Sequence, residues 1–206
     1  MKVLITGGQG TIAQAITETL EKTGHLVYDF GRKELDITNE VRVEFVMDWV
    51  RPDVLINNAG YIVPSSIIDT SLEEWDKHIK INLTGAFLCS KYAILNGCKT
   101  IINIGSTSAF EGRKNWGAYC ASKAGGTSLI ESLVEEEIKA YSLNPARTET
   151  KMRDRLFPGE DKNTLMSPLR IAEYVGKILD NEFPNGSHII VTKDNHVVIP
   201  KRKCPK

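Results

Sequence analysis

Short apolar runs that alternate with longer segments of helical period constrain this chain more than any other feature. Val3 to Ile5 reads as a strand, and Ile12, Ala15, Ile16, Thr19 and Leu20 fall on one face of a helix that Gly24 ends. Leu26 to Phe30 is a second strand. Residues 38–50 form a helix with Val41, Phe45, Val46 and Trp49 facing inward, stopped by Arg51-Pro52. Val54 to Ile56 is the next strand, and Leu72 to Leu95 holds one or two helices. Thr100 to Ile104 has the character of a strand covered on both faces. A helix over Tyr119 to Glu137, a strand over Ile138 to Leu143, a helix over Pro168 to Leu179 and a last strand, His188 to Val191, complete the series. This pattern predicts an α/β fold, a doubly wound parallel sheet with helices on both faces. The 206 residues suit a single domain, 1–206, without internal repeat or linker.

Lys plus Arg and Asp plus Glu each number 26, so the formal net charge is zero and gives no case for nucleic acid or a membrane surface as partner. The basic cluster Lys201-Arg202-Lys203 with Lys206 reads as part of a solvated, flexible tail over residues 200–206. The cysteines (Cys89, Cys98, Cys120, Cys204) form no CxxC pair, and no Cys/His cluster has metal-ligand spacing, so reduced thiols and no metal are expected. The apolar run after Met1 is too short for a signal peptide and no stretch reaches membrane-spanning length, which predicts a cytoplasmic protein. The four histidines are scattered, as surface or structural residues are.

Thr6-Gly7-Gly8-Gln9-Gly10-Thr11-Ile12-Ala13 joins the first strand to the first helix. Glycines there permit a tight turn and close approach of backbone to a pyrophosphate, while the helix N-terminus supplies N–H donors. A Gly-rich turn without ligand is the plainer alternative, and the position at the first strand–helix junction favours nucleotide binding. The second strand ends in Tyr28-Asp29-Phe30-Gly31-Arg32-Lys33. A carboxylate at that tip binds a ribose 2′-hydroxyl, and Arg favours a 2′-phosphate. Asp29 lies two residues too early, within the strand. Tyr119 and Lys123 stand four apart on a helix, so an ammonium sits on the face of a phenol and favours its ionisation. Such a pair recurs by chance in many helices, but Asn57-Asn58-Ala59-Gly60 follows the third strand, Asn82 comes 25 residues after Asn57, and Ser106 precedes Tyr119 by 13.

In order and spacing, this set resembles the short-chain dehydrogenase/reductase family over roughly residues 1–152. The resemblance implies a Rossmann-type fold and hydride transfer between a nicotinamide cofactor and a carbonyl or secondary alcohol. It implies a catalytic set of Asn82, Ser106, Tyr119 and Lys123. Ser106 polarises the carbonyl oxygen, Tyr119 is the acid/base, Lys123 binds the nicotinamide ribose and lowers the Tyr119 pKa, and Asn82 holds a relay water. It also implies cofactor contacts from Thr6, Gly7, Gly8, Gln9, Gly10, Thr11 and Ile12 of the phosphate loop, and from Asn58, Ala59 and Gly60. Gly31 falls where members that prefer NAD carry Asp, so Arg32 and Lys33 favour NADP over NAD. Asp36-Ile37 resembles the pair that contacts the adenine, and the helix usual between it and the second strand is missing. Asn144-Pro145-Ala146-Arg147-Thr148-Glu149-Thr150 resembles the segment that meets the nicotinamide, which adds Pro145, Ala146, Thr148 and Thr150 to the contacts.

Several departures qualify the match. Thr11 and Ala13 replace the usual loop glycines, in a form closer to sugar-nucleotide epimerases and reductases. The interval from Lys123 to Pro145 is short, so the helix carrying Tyr119 is expected to be truncated. A homo-oligomer, dimer or tetramer, is still expected. Residues 151–167 read as a surface loop or as a substrate lid. Ser108 is a further hydroxyl near the site, and Trp116 with Phe110 gives it an apolar character. A carbonyl reductase or alcohol dehydrogenase is the leading reading. The alternatives are a sugar-nucleotide reductase or epimerase, disfavoured because only 56 residues follow Thr150, and a non-catalytic NADP sensor, disfavoured by the intact set of four.

Overall fold

The computed structural model describes residues 1–201. The expected tail therefore lies, from residue 202 on and with Cys204, outside the described residues. Seven strands form one sheet: β1 (Lys2–Thr6), β2 (Leu26–Phe30), β3 (Val54–Asn57), β4 (Thr100–Ile104), β5 (Lys139–Pro145), β6 (His188–Val191) and β7 (His196–Ile199). Their order is β2-β1-β3-β4-β5-β6-β7. The first six run parallel and β7 turns back antiparallel to β6, pairing His188 with Ile199. β7 is an addition to the sequence reading, which ends the sheet at Val191. Its half-exposed residues on an outer strand give too weak an alternation to stand out.

Alternation of side chains along each strand divides the core in two. Val3 and Ile5 of β1, Val54 and Ile56 of β3 and Ile102 of β4 pack under α1 (Thr11–Lys22) and α7 (Pro168–Leu179). Leu4, Leu55 and Ile101, from the same strands, face α2 (Glu40–Val50), α4 (Gly85–Leu95) and α5 (Gly117–Glu135). α3 (Leu72–Ile79) and α4 form one continuous rod joined by a π-helical turn at Lys80–Thr84. That turn inserts one residue into the helical repeat and carries Asn82. A short helix, α6 (Lys151–Leu156), lies in the stretch read from sequence as irregular.

α2 corrects one expectation. Val43, Val46, Met47 and Val50 are the buried positions, whereas Val41, Phe45 and Trp49 are 76%, 60% and 64% exposed. Apolar residues occur on two sides of this helix, so its own period does not choose between them. The sheet does: Val43 to Val50 cover β1 and β3, and the aromatic stripe is left beside the open edge of β2. There Trp49 stacks on Phe30, with centroids 6.3 Å apart, and meets the edge of the Tyr28 ring at 6.1 Å. Compared with the six-stranded nucleotide-binding order 3-2-1-4-5-6, the strand outside β2 is absent among the described residues. No helix intervenes between β2 and Asp36, as expected from the sequence. Met47→Ala is expected to cost about 2–4 kcal/mol in urea unfolding, and Trp49→Ala about 1 kcal/mol or less. Equal costs would show that the buried face of α2 is misassigned.

Candidate active site

Parallel strands joined by right-handed crossovers bring all their carboxyl ends to one side, and a cleft opens where the strand order reverses. Here the reversal lies between β1 and β3, and a cleft of about 570 Å³ runs from there across the tips of β4 and β5. Thr6 ties the two strands together. Its hydroxyl accepts hydrogen bonds from the backbone N–H groups of Asn58 and Ala59, both at 3.0 Å. Asn58 returns the contact by donating its amide to the Thr6 carbonyl at 2.9 Å. Gly7 has φ +69, and a Cβ there would lie 2.9 Å from the Ala59 Cα. Only glycine fits both the left-handed backbone and the close approach.

Most of the sequence candidates line this one cleft: Gly7, Gln9, Gly10, Thr11, Ile12, Gly31, Arg32, Asp36, Ile37, Asn58, Ala59, Gly60, Ser106, Tyr119, Lys123, Pro145, Ala146, Thr148 and Thr150. Four do not. Thr6 is buried beneath it as the tie just described. Gly8 is packed against β2, where a Cβ would fall 1.9 Å from the Asp29 carbonyl oxygen. Lys33 is an exposed turn residue outside the lining. Asn82 is buried behind the wall: its Oδ1 accepts from the Tyr61 N–H at 2.7 Å, and its amide donates to the Tyr61 carbonyl at 2.9 Å and to the Ser122 hydroxyl at 2.9 Å. Gly60 brings it near the centre, since a Cβ there would lie 3.7 Å from both Asn82 Oδ1 and Lys123 Nζ.

At the β2 end, Arg32 is 84% exposed and its Nε lies 3.6 Å from Asp36 Oδ2. Burial alone would raise the Asp36 pKa, but hydrogen bonds from Thr38 and the charge of Arg32 outweigh it and hold the carboxyl below its usual value. The Gln9 side chain lies over Gly31, within 3.1 Å of where a Cβ would stand.

At the β4 end, the Ser106 N–H donates to Asn144 Oδ1 at 3.3 Å and the Ser106 hydroxyl accepts from the Ser108 N–H at 3.1 Å. Ser108 itself is buried and does not line the cleft. Lys123 is buried with its Nζ donating to the Ile104 carbonyl at 3.0 Å. Desolvation pushes its pKa down to about 8. Burial also pushes the Tyr119 hydroxyl up to about 12, although its contact with Ser106 pulls the other way. The depression of the Tyr119 pKa expected from Lys123 is therefore not present here. Lys123 Nζ stands 5.8 Å from the Tyr119 ring centroid and donates to a carbonyl, and with its own pKa near 8 it is neutral before the phenol ionises.

Beyond Tyr119 the cleft is lined by residues without a motif: Tyr61, Ile62, Trp116, Met152, Arg153, Arg155 and Leu156. Trp116 stands edge-on to Tyr119 at 5.6 Å, with Phe157 behind it at 6.1 Å. Phe110 packs on His188 instead and is not part of the lining. α6 is held by paired charges, with Arg153 bidentate to Glu160 at 2.5 and 2.7 Å. Thr150 caps its start and the Lys151 N–H donates to the Thr11 hydroxyl at 3.2 Å. No group of three or more His, Cys, Asp or Glu side chains suited to a metal ion occurs among the described residues. No helix among them is long and apolar enough to cross a membrane.

Residues 33–161 match the family model for short chain dehydrogenases. An uncharacterised oxidoreductase of Thermotoga maritima is 41% identical over 106 residues, which span 48% of this chain and 41% of that protein. The benzil reductase of Bacillus subtilis, named as forming (S)-benzoin, is 29% identical over 184 residues, 73% of this chain and 75% of its own. Among solved structures, a small-chain dehydrogenase in complex with NADPH superposes with a TM-score of 0.84 at 20% identity, covering 94% of this chain and 97% of the other. At that identity the likeness is one of fold. The chain belongs to the short-chain dehydrogenase family of oxidoreductases.

A buried, charged Lys123 has a stability consequence. Because its folded pKa lies near 8 and that of an unfolded lysine near 10.4, the folded chain holds fewer protons between those values, and stability rises with pH across that window. Below about pH 8 the charge remains buried at a cost on the order of 3 kcal/mol. Lys123→Met is therefore expected to raise the thermal midpoint at pH 7, with the gain shrinking toward pH 10. A variant less stable than wild type at pH 7 would contradict this.

Proposed function

We propose that this protein is an NADP(H)-dependent oxidoreductase that interconverts a carbonyl and a secondary alcohol, with Tyr119 as acid/base. The observation that carries the reading is the convergence of Ser106, Tyr119 and Lys123 with the phosphate loop in one cleft. The residues fit a dinucleotide: the Gly7 turn leaves no room for a side chain, the N-terminus of α1 points into the cleft, and Arg32 offers an exposed cation at the tip of β2. NADPH, when bound, supplies the hydride. Gly7 and Gln9 to Ile12 would hold its pyrophosphate, Arg32 the 2′-phosphate, Asp36 and Ile37 the adenine, and Thr148 and Thr150 the nicotinamide end.

Ser106 donates a hydrogen bond to the carbonyl oxygen, and Tyr119 delivers a proton to it during reduction or removes one during oxidation. Lys123 binds ribose hydroxyls and, once drawn toward them from the Ile104 carbonyl, adds positive charge beside Tyr119. Asn82 fixes the wall behind Gly60. α6 and residues 151–167 act as the lid over the substrate. Tyr61, Ile62, Trp116 and Met152 give that end an apolar, aromatic surface, so the substrate carries an apolar or aromatic flank. The benzil reductase relative is compatible with that class.

Two measurements test this reading. Tyr119→Phe should lower kcat/KM for reduction of benzil by about 10²–10⁴-fold while NADPH binding stays within about twofold of wild type. Normal turnover by that variant would refute the role of Tyr119. Arg32→Ala should weaken NADPH binding about 10–100-fold and leave NADH affinity nearly unchanged. Equal losses for both cofactors would remove the case for a 2′-phosphate contact.

A further inference from the structure

His78 is buried, 1% exposed, on a helix whose other polar residues largely face solvent. Both ring nitrogens are engaged. Nδ1 lies 2.8 Å from the Glu74 carbonyl oxygen and must donate to it, which leaves Nε2 as an acceptor. Nε2 takes the backbone N–H of Val63 at 3.2 Å. Val63 follows Tyr61 and Ile62, two residues of the cleft wall in a segment without helix or strand. Its N–H therefore has no partner in regular secondary structure. Asn82, four residues after His78, holds both backbone groups of Tyr61. The His78 ring also meets the Tyr61 ring edge-on at 5.0 Å. The wall is thus gripped at two points, by two side chains on one rod.

We infer that His78 is a positioning residue for the substrate: through Nε2 it fixes the segment 61–63, and with it the apolar wall of the cleft that Tyr119 also lines. The inference rests on the proposed role of this cleft as the substrate site. An apolar residue in place of His78 would fill the same buried space without the cost of burying two nitrogens. Of the two hydrogen bonds that offset this cost, one reaches out of the helix to the wall. His78 touches neither of the proposed reacting groups, Ser106 and Tyr119, so its loss should loosen carbonyl binding more than chemistry.

His78→Phe keeps a ring against Tyr61 and removes both nitrogens, whereas His78→Gln restores a neutral acceptor near the place of Nε2. With benzil and saturating NADPH, the Phe variant should show KM raised about tenfold, kcat within about threefold and an unchanged Kd for NADPH. The Gln variant should return KM to within about threefold of wild type. Deuterium uptake by the peptide covering residues 60–66 needs no turnover, and should be faster in the Phe variant and near wild type in the Gln variant. An unchanged KM in the Phe variant, or a folded Gln variant as impaired as Phe, would overturn the inference. Unchanged uptake across all three proteins would do the same. If benzil is not reduced by wild type yet uptake follows the expected order, the substrate reading fails and the grip on the wall stands. Should the Phe variant not fold, His78→Leu against His78→Gln carries the same comparison.

Discussion

The contact on which the rest of the cleft depends is the one between the tips of β1 and β3. Thr6 presents its hydroxyl to two successive backbone N–H groups, and Asn58 answers with its amide. Every strand in a parallel sheet ends with backbone groups the ladder no longer satisfies. At the reversal of strand order no crossover helix covers them, so the two tips satisfy each other through side chains. Gly7 and Ala59 are thereby brought close enough that no Cβ fits between them. The Gly-rich loop takes its shape from this tie and not from glycine content alone.

The centre of the site is electrostatically unfavourable as it stands. A lysine and a tyrosine are both desolvated, and each is pushed toward its neutral form. Lys123 spends its hydrogen bond on the Ile104 carbonyl, an interaction that a ribose hydroxyl would replace or share. The pair is thus one that a polar partner in the cleft would stabilise. This is the usual relation between a strained functional centre and a stable fold, in which surrounding packing holds groups that would relax if free.

Much of this was legible in the sequence, because the chemistry requires particular residue types at fixed intervals. Gly7 and the residues from Gln9 to Ile12 of the loop, the pair Tyr119 and Lys123, and Ser106 thirteen residues ahead of Tyr119 all meet in one cleft. What escaped notice had no interval to betray it. Tyr61, Ile62, Arg155 and Leu156 line the site through packing between segments distant in sequence. His78 resembles any scattered histidine until its burial and its bond to Val63 are seen. The orientation of α2 failed for a different reason: two apolar stripes compete on one helix, and only the neighbouring sheet decides between them. The expected low pKa of Tyr119 rested on sequence spacing, which specifies the helix face and not how deeply the two side chains are desolvated.

The outer edge of β2 has a consequence of its own. Where no further strand follows among the described residues, Tyr28, Phe30, Phe45 and Trp49 form an aromatic strip beside the outer edge of β2. Edges of this kind are where polypeptides add to one another when crowded or partly unfolded. Asp29, exposed on the opposite face of the strand, together with Glu34 and Arg42 beside the strip, sets charges at this edge. Such charges interrupt the apolar run that strand-to-strand stacking needs. A handful of polar side chains thus separates this edge from a surface on which strands would stack. Removal of Asp29 would be felt first in how concentrated the protein can be made, before any change in what it catalyses.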